Sequence, residues 1–191
     1  MRTLILDRSS AFTHVAYNGR VLTVDGRDDT WVAKVRDFLG DETPEALAVG
    51  LGPGSFAGIR AAIAALQGMG IAWGLQPKGF PSAAVLAAGA GSTEVTVVGD
   101  ARRNTLWTVR YRVTDTTIEQ LTEFEVRKRD TFASDETMVS PDAQRLTEFA
   151  LRAATLDPTL LESVVERLGD ALTADPKPYY LHPAVGAADA K

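Results

Sequence analysis

The chain has 191 residues, 45% of them hydrophobic and 24% charged, with a formal net charge of −5. That length buries about 70% of the unfolded surface, in one core or two small lobes, and the composition excludes disordered and fibrous classes. The acidic balance gives no global pull toward nucleic acid, and the absence of cysteine excludes disulfides, thiolate catalysis, zinc ribbons and iron–sulfur clusters together.

Met1 to Asp7 meets charge too early for a secretory leader. The uncharged stretch Ala61 to Leu75 is rich in Ala and Gly and shorter than the ~20 apolar residues a membrane span needs, so a cytoplasmic protein is expected. Thr3 to Leu6 reads as a buried strand ending at Asp7. His14 to Tyr17 and Arg20 to Val24 flank Asn18-Gly19, a pair that accepts positive φ at both positions and so predicts a two-residue hairpin. Asp28 and Asp29 then lead into Trp31, Val32, Val35, Phe38 and Leu39, which have helical spacing and stop at Gly40. Ala46 to Gly50 reads as a fourth strand, Ser55 as the cap of a helix running to about Gly74, Lys78 to Phe80 as a short strand and Ser82 to Ala90 as an Ala-rich helix. This βββαβα order predicts a sheet that starts antiparallel and continues parallel, with helices on its faces.

In the second half, Glu94 to Gly99 is strand-like, and Trp107, Val109, Tyr111 and Val113 alternate with Thr108, Arg110 and Arg112. A turn near Asp115 predicts a second hairpin returning as one strand over Ile118 to Val126. Ser140-Pro141-Asp142 predicts a helix through about Ala153, and Pro158 another to Leu168. A lobe boundary is expected near Ala90 to Thr93, giving residues 1–91 and 92–191.

The long helix has two apolar faces. Projection at about 100° per residue puts Phe56, Ile59, Ile63, Leu66 and Trp73 on one side, expected to pack on the sheet. Ala57, Ala61, Ala64, Ala65, Gly68 and Ala72 gather nearly opposite, with Arg60 and Gln67 between them. Small residues at that spacing admit a second helix. Spacing alone leaves open whether this is the chain's own Asp29 to Leu39 or a partner's helix.

The loop before this helix, Gly50-Leu51-Gly52-Pro53-Gly54-Ser55, has the composition of an anion cradle. Gly52-x-Gly54-x-x-Ala57 fits a dinucleotide fingerprint formally, but no acidic residue follows it before Glu94 to hold a ribose. A P-loop needs Lys where Ile59-Arg60 stands, and a nucleophile elbow needs Gly where Pro53 and Ala57 flank Ser55. By elimination, the loop reads as a tight turn capping a buried helix. Two histidines, His14 and His182, are too far apart in sequence for a helical metal pair, and each reads as a surface or hairpin residue. Asp7 has the position of a Mg²⁺ ligand, but Arg8-Ser9-Ser10 rather than a glycine turn follows it. Arg102 and Arg103, after Asp100-Ala101, form an adjacent pair able to grip a carboxylate or phosphate.

Together these residues resemble the TsaB (YeaZ) family, which supports synthesis of threonylcarbamoyladenosine in tRNA. Gly52-Pro53-Gly54-Ser55-Phe56-Ala57-Gly58-Ile59-Arg60 is similar to the family's G-P-G-S-F-T-G-L-R. Leu4-Ile5-Leu6-Asp7 with Ser9-Ser10, Asp100-Ala101-Arg102-Arg103 and Pro178-Tyr179-Tyr180-Leu181 match in order, with His182 where the family has Arg. Asp25 to Asp29 lacks the family's His-Ser pair, and Thr105 replaces a Glu. The resemblance implies an α/β, actin-like, RNase H-like two-lobe fold and a scaffold subunit without catalytic residues, cofactor or metal of its own. It also implies pairing with a catalytic TsaD-like subunit alongside a TsaE-like ATPase, with tRNA engaged at most indirectly. Contact is then expected through the first two helices, at Trp31, Val35, Phe38, Ala57, Ala61, Ala64, Ala65, Gly68 and Ala72, and the same helices allow a homodimer. The alternative is an actin-like ATPase or phosphotransferase using Asp7 and the Gly52–Ser55 loop.

Overall fold

A computed structural model describes residues 1–133 and 137–181. The first sheet is built from β1 (Thr3–Asp7), β2 (Phe12–Tyr17), β3 (Arg20–Asp25), β4 (Ala46–Gly50) and β5 (Pro77–Phe80), in the order β3-β2-β1-β4-β5. β1 to β3 are antiparallel, and β4 and β5 run parallel to β1, as the element order requires. Asn18 and Gly19, at φ 53° and 74°, close the first hairpin with Tyr17 opposite Arg20.

Side chains alternate across this sheet and fill two cores. Leu4, Leu6, Val15, Tyr17 and Val49 face α1 (Trp31–Leu39) and α2 (Phe56–Trp73). Ile5, Ala16 and Ala48 face the opposite way, toward α3 (Ala83–Ala88), α4 (Leu161–Leu168) and the second sheet. α1 starts two residues later than the expected Asp29. Asp28 lies before the helix, where its carboxylate accepts from Thr30 N and Oγ1 and pairs with Lys34, so no acid occupies the first turn.

The second sheet follows the order β11-β10-β6-β7-β8, with β9 also on β7. Its strands are β6 (Glu94–Arg102), β7 (Thr105–Val113), β8 (Ile118–Gln120), β9 (Glu125–Lys128), β10 (Met138–Ser140) and β11 (Arg152–Ala153). The single strand expected over Ile118 to Val126 is broken in two. Leu121 N still bonds Arg110 O, but the chain then turns so that Phe124 stacks on Tyr179 at 4.4 Å and Trp107 at 6.1 Å.

The helix expected from Ser140 to Ala153 is absent. Asp142 accepts from Asp100 N at 3.0 Å, tying the segment to β6, and the chain returns as β11 parallel to β10. Leu146, within that segment, is fully buried against Val98 and Leu106. Tertiary burial overrides local propensity here. A 3₁₀ turn, Pro158–Leu160, capped by Asp157, opens α4 as the proline predicts. The chain after β11 returns to the first sheet, where Thr173 bridges Gly79 and Tyr179 N donates to Leu51 O at 3.1 Å.

α2 is the one helix among the described residues long and apolar enough to cross a membrane, and a third of that stretch is buried inside the protein. Its sheet face is Gly58, Ile59, Ala62, Ile63, Leu66 and Gly70. This corrects the assignment of the large face. Phe56 is 44% exposed, and the small residues Gly58, Ala62 and Gly70 help form the buried side.

Candidate functional site

The Gly50–Ser55 loop is fixed by bonds from three directions. Leu51 N donates to Phe80 O at 2.8 Å, Ser55 N to Ser9 O at 2.7 Å, and Ser82 N to Gly52 O at 2.9 Å. Ser82 Oγ accepts from Gly52 N at 3.0 Å, and the Gly52–Pro53 bond is cis. Ser55 Oγ caps α2 by accepting from Gly58 N at 3.2 Å.

The motif glycines let the β1–β2 turn lie directly against this loop. A Cβ at Gly54 would stand 2.1 Å from Ser9 O, one at Gly58 2.3 Å from Arg8 O, and one at Gly50 2.0 Å from Asp7 Oδ2. Close packing therefore accounts for these glycines, on backbone at Gly54 and Gly58 and on the Asp7 carboxylate at Gly50.

Asp7 is fully buried. Its Oδ1 accepts from Ser9 N at 2.8 Å and Ser9 Oγ at 2.6 Å, while Oδ2 is pressed on Gly50 with no hydrogen-bond partner among the described residues. Beside the loop lies a cavity of about 170 Å³ lined by Arg8, Ser10, Gly26, Ser55, Ala57 and Gly58. That is below the ~300 Å³ where small-molecule pockets begin. The Arg8 guanidinium donates to Gly26 O and lies 4.7 Å over the Trp31 ring, while its buried Nε has no partner among the described residues. Among the described residues, no group of three or more His, Asp and Glu side chains is placed to hold a metal.

His14 lies in the first hairpin but is buried rather than superficial, between Ser10 Oγ and Thr23 Oγ1, each at 3.2 Å. His182 lies outside the described residues. Burial pushes the His14 pKa below its ordinary 6.5, against the opposing pull of Asp7 and Asp157. The folded chain therefore holds this imidazole neutral while the unfolded chain protonates it first. The resulting stability is present above pH 6.5 and declines as pH falls below that value. His14→Gln is expected to flatten the slope of the urea midpoint between about pH 7 and pH 5; an unchanged slope contradicts this.

The arginine pair sits at the β6–β7 tip, where Arg102, Arg103 and Asn104 all take positive φ, at 68°, 50° and 58°. Burial pushes the Asp100 carboxyl up, but the N–H of Arg102 and the Arg129 guanidinium, both bonding it, hold it below its ordinary value. Arg102 Nη1 also turns back to Asp100 at 3.6 Å. Arg102 is thus turned toward Asp100, while Arg103 extends from the tip, where Arg102, Arg103 and Asn104 are all exposed.

The residues expected to meet a partner divide sharply. Trp31 and Val35 belong to the chain's own core, and Phe38 is half-buried with Arg20 5.1 Å over its ring. On α2, Ala57, Ala64, Gly68 and Ala72 are exposed, while Ala61 and Ala65 are half-buried. α1 does not cover this face; it packs on β2 and β3. Sequence reasoning missed Ile71, which is 83% exposed beside Ala64 and Gly68, and Tyr180, which is 69% exposed. The seven-residue spacing 57, 64, 71 could have revealed Ile71. Tyr180 carried no such signal.

The family model described as TsaD, tRNA N6-adenosine threonylcarbamoyltransferase, matches residues 39–164. No curated protein matches the sequence significantly. Among solved structures, YeaZ from Pseudomonas aeruginosa is 23% identical, with a TM-score of 0.77 over 94% of this chain and 99% of that one. An uncharacterized protein with similarity to peptidase YEAZ from Pseudomonas aeruginosa is also 23% identical, with a TM-score of 0.73 over 95% of this chain and 99% of the other. The resemblance read from the sequence is borne out, by the family match and by a fold shared with YeaZ, and with it the actin-like class of two mixed sheets with covering helices.

Proposed function

Since the chain belongs to the TsaD family of tRNA N6-adenosine threonylcarbamoyltransferases, we propose that it serves tRNA modification as a non-catalytic cytoplasmic subunit that docks a TsaD-like catalytic chain. The observation that carries this reading is the exposed face of α2: Ala57, Ala64, Gly68, Ile71 and Ala72 form an apolar surface that no element among the described residues covers. Small side chains let a second helix approach closely, and a flat apolar stripe has little use in water. The motif loop supports this role by fixing where α2 begins. A TsaE-like ATPase joins the complex through the catalytic chain, tRNA is reached through it, and a homodimer through α2 forms when that chain is absent. Mixing this chain with the catalytic subunit at equal concentration should give one co-eluting species on a sizing column. Two separate peaks at micromolar concentration would sink the reading.

The ATPase alternative fits the geometry poorly, because Asp7 is turned into the Gly50 backbone and the adjoining cavity is small. Calorimetry with ATP and Mg²⁺ is expected to give no heat that depends on Asp7. A binding isotherm abolished by the near-isosteric Asp7→Asn would restore that alternative.

A further inference from the structure

The exposed face of α2 is not uniform along its length. At its N-terminal end the Phe56 ring meets Tyr180 at a centroid distance of 5.5 Å, and the Arg60 guanidinium lies 5.3 Å over the same ring. Tyr180 is held by its neighbour: Tyr179 N bonds Leu51 O and its ring packs on Phe124. Two partly exposed aromatic rings are thus presented in a fixed arrangement, the property that marks binding hot spots.

Arg60 adds a direction. It is the one charged residue of α2, whose first turn contains no acid. Among the described residues it meets only the Phe56 ring and no carboxylate. It stands in the second turn of α2. A positive charge with no carboxylate beside it among the described residues, on a face whose other polar side chain is the neutral Gln67, calls for one negative charge set in apolar surroundings. A protein helix offers that. A phosphate backbone does not, since it brings a row of charges against Ala57, Ala64 and Ile71.

We infer that Phe56, Arg60 and Tyr180 anchor the docking face, and that its occupant is a partner helix bearing a carboxylate opposite Arg60. This rests on the docking role proposed above. The guanidinium edge bonds the carboxylate while its face stays on Phe56, and Tyr180 shields the pair from water.

Calorimetric titration of the catalytic subunit into four variants separates the two ideas. Tyr180→Ala is expected to weaken binding about tenfold, and Arg60→Glu about a hundredfold with loss of the salt dependence. Arg60→Lys should recover part of that loss. Ala64→Trp, in the middle of the face, should abolish binding whatever the anchor. Tyr180→Ala and Arg60→Glu binding within twofold of wild type, while Ala64→Trp does not bind, overturns the anchor and leaves docking intact. Wild-type binding by Ala64→Trp overturns docking itself. Loss of affinity for isolated tRNA in Arg60→Glu, with the protein complex unchanged, would assign the charge to RNA and overturn the inference. Both anchor substitutions are at exposed positions, so unchanged thermal midpoints will exclude misfolding as the cause.

Discussion

Gly58→Ala is expected to destabilise the chain by about 2 kcal/mol, whereas Gly68→Ala in the same helix is expected to stabilise it by about 0.5–1 kcal/mol. Both changes improve helix propensity by a similar amount, because Gly costs roughly 1 kcal/mol relative to Ala in a helix interior. Their surroundings decide the sign. A Cβ at position 68 meets nothing within 4 Å. One at position 58 would stand 2.3 Å from Arg8 O and 3.0 Å from Ser55 Oγ. Arg8 cannot retreat freely, since the next residue's carbonyl, Ser9 O, accepts from Ser55 N and Asp7 holds Ser9 from the other side. The added methyl must push the β1–β2 turn off the start of α2, at a cost typical of overpacking and larger than the propensity gain. Urea midpoints for the two variants should move in opposite directions. If Gly58→Ala is as stable as wild type, the motif glycines are not there for close packing, and a ligand role for the loop regains its force.

Ala64→Trp is expected to leave the monomer folded and to abolish association with the catalytic subunit. Ala64 is exposed on α2, with Ala57 and Ile71 one repeat to either side. An indole there extends into solvent in the free chain, so the thermal midpoint should move little. Against a docked helix it occupies the space that small residues leave for the opposing backbone, and separating two helices by the thickness of a ring removes most of their contact. Ala61 and Ala65, the other small residues of the stripe, are half-buried against α2's own core. Tryptophan at either would disturb the monomer as well, so a loss of binding there would be ambiguous.

The first sheet was legible because its signals are local. Asn18-Gly19 sets a hairpin whatever surrounds it, β4 ends at Gly50, and α2 runs from its Ser55 cap to Gly74. The segment from Ser140 to Ala153 misled for the opposite reason. Leu146 and Phe149 have helical spacing, but their burial comes from Val98, Leu106 and Phe132, supplied by distant parts of the chain. A bond from Asp100 to Asp142 across the fold then settles the backbone.

The candidate site was half legible. The small face of α2 follows from periodicity, and Ala57, Ala64, Gly68 and Ala72 are exposed as a docking surface needs. Trp31 and Val35 carry the same apolar signal, yet it marks their place in the core, and only the packing of α1 on β2 and β3 separates the two meanings. Tyr180 reaches α2 through the return of the chain to Leu51, a long-range path that no local pattern encodes.

Because the chain contains no cysteine, one introduced thiol reports on a single place. The most direct test of the account labels Ala64→Cys with a maleimide, alone and with the catalytic subunit, and compares Val21→Cys on β3, which is also exposed. The account predicts that the complex slows labelling of position 64 at least about tenfold and leaves position 21 unchanged. A complex that forms while position 64 still labels at the free rate would contradict it.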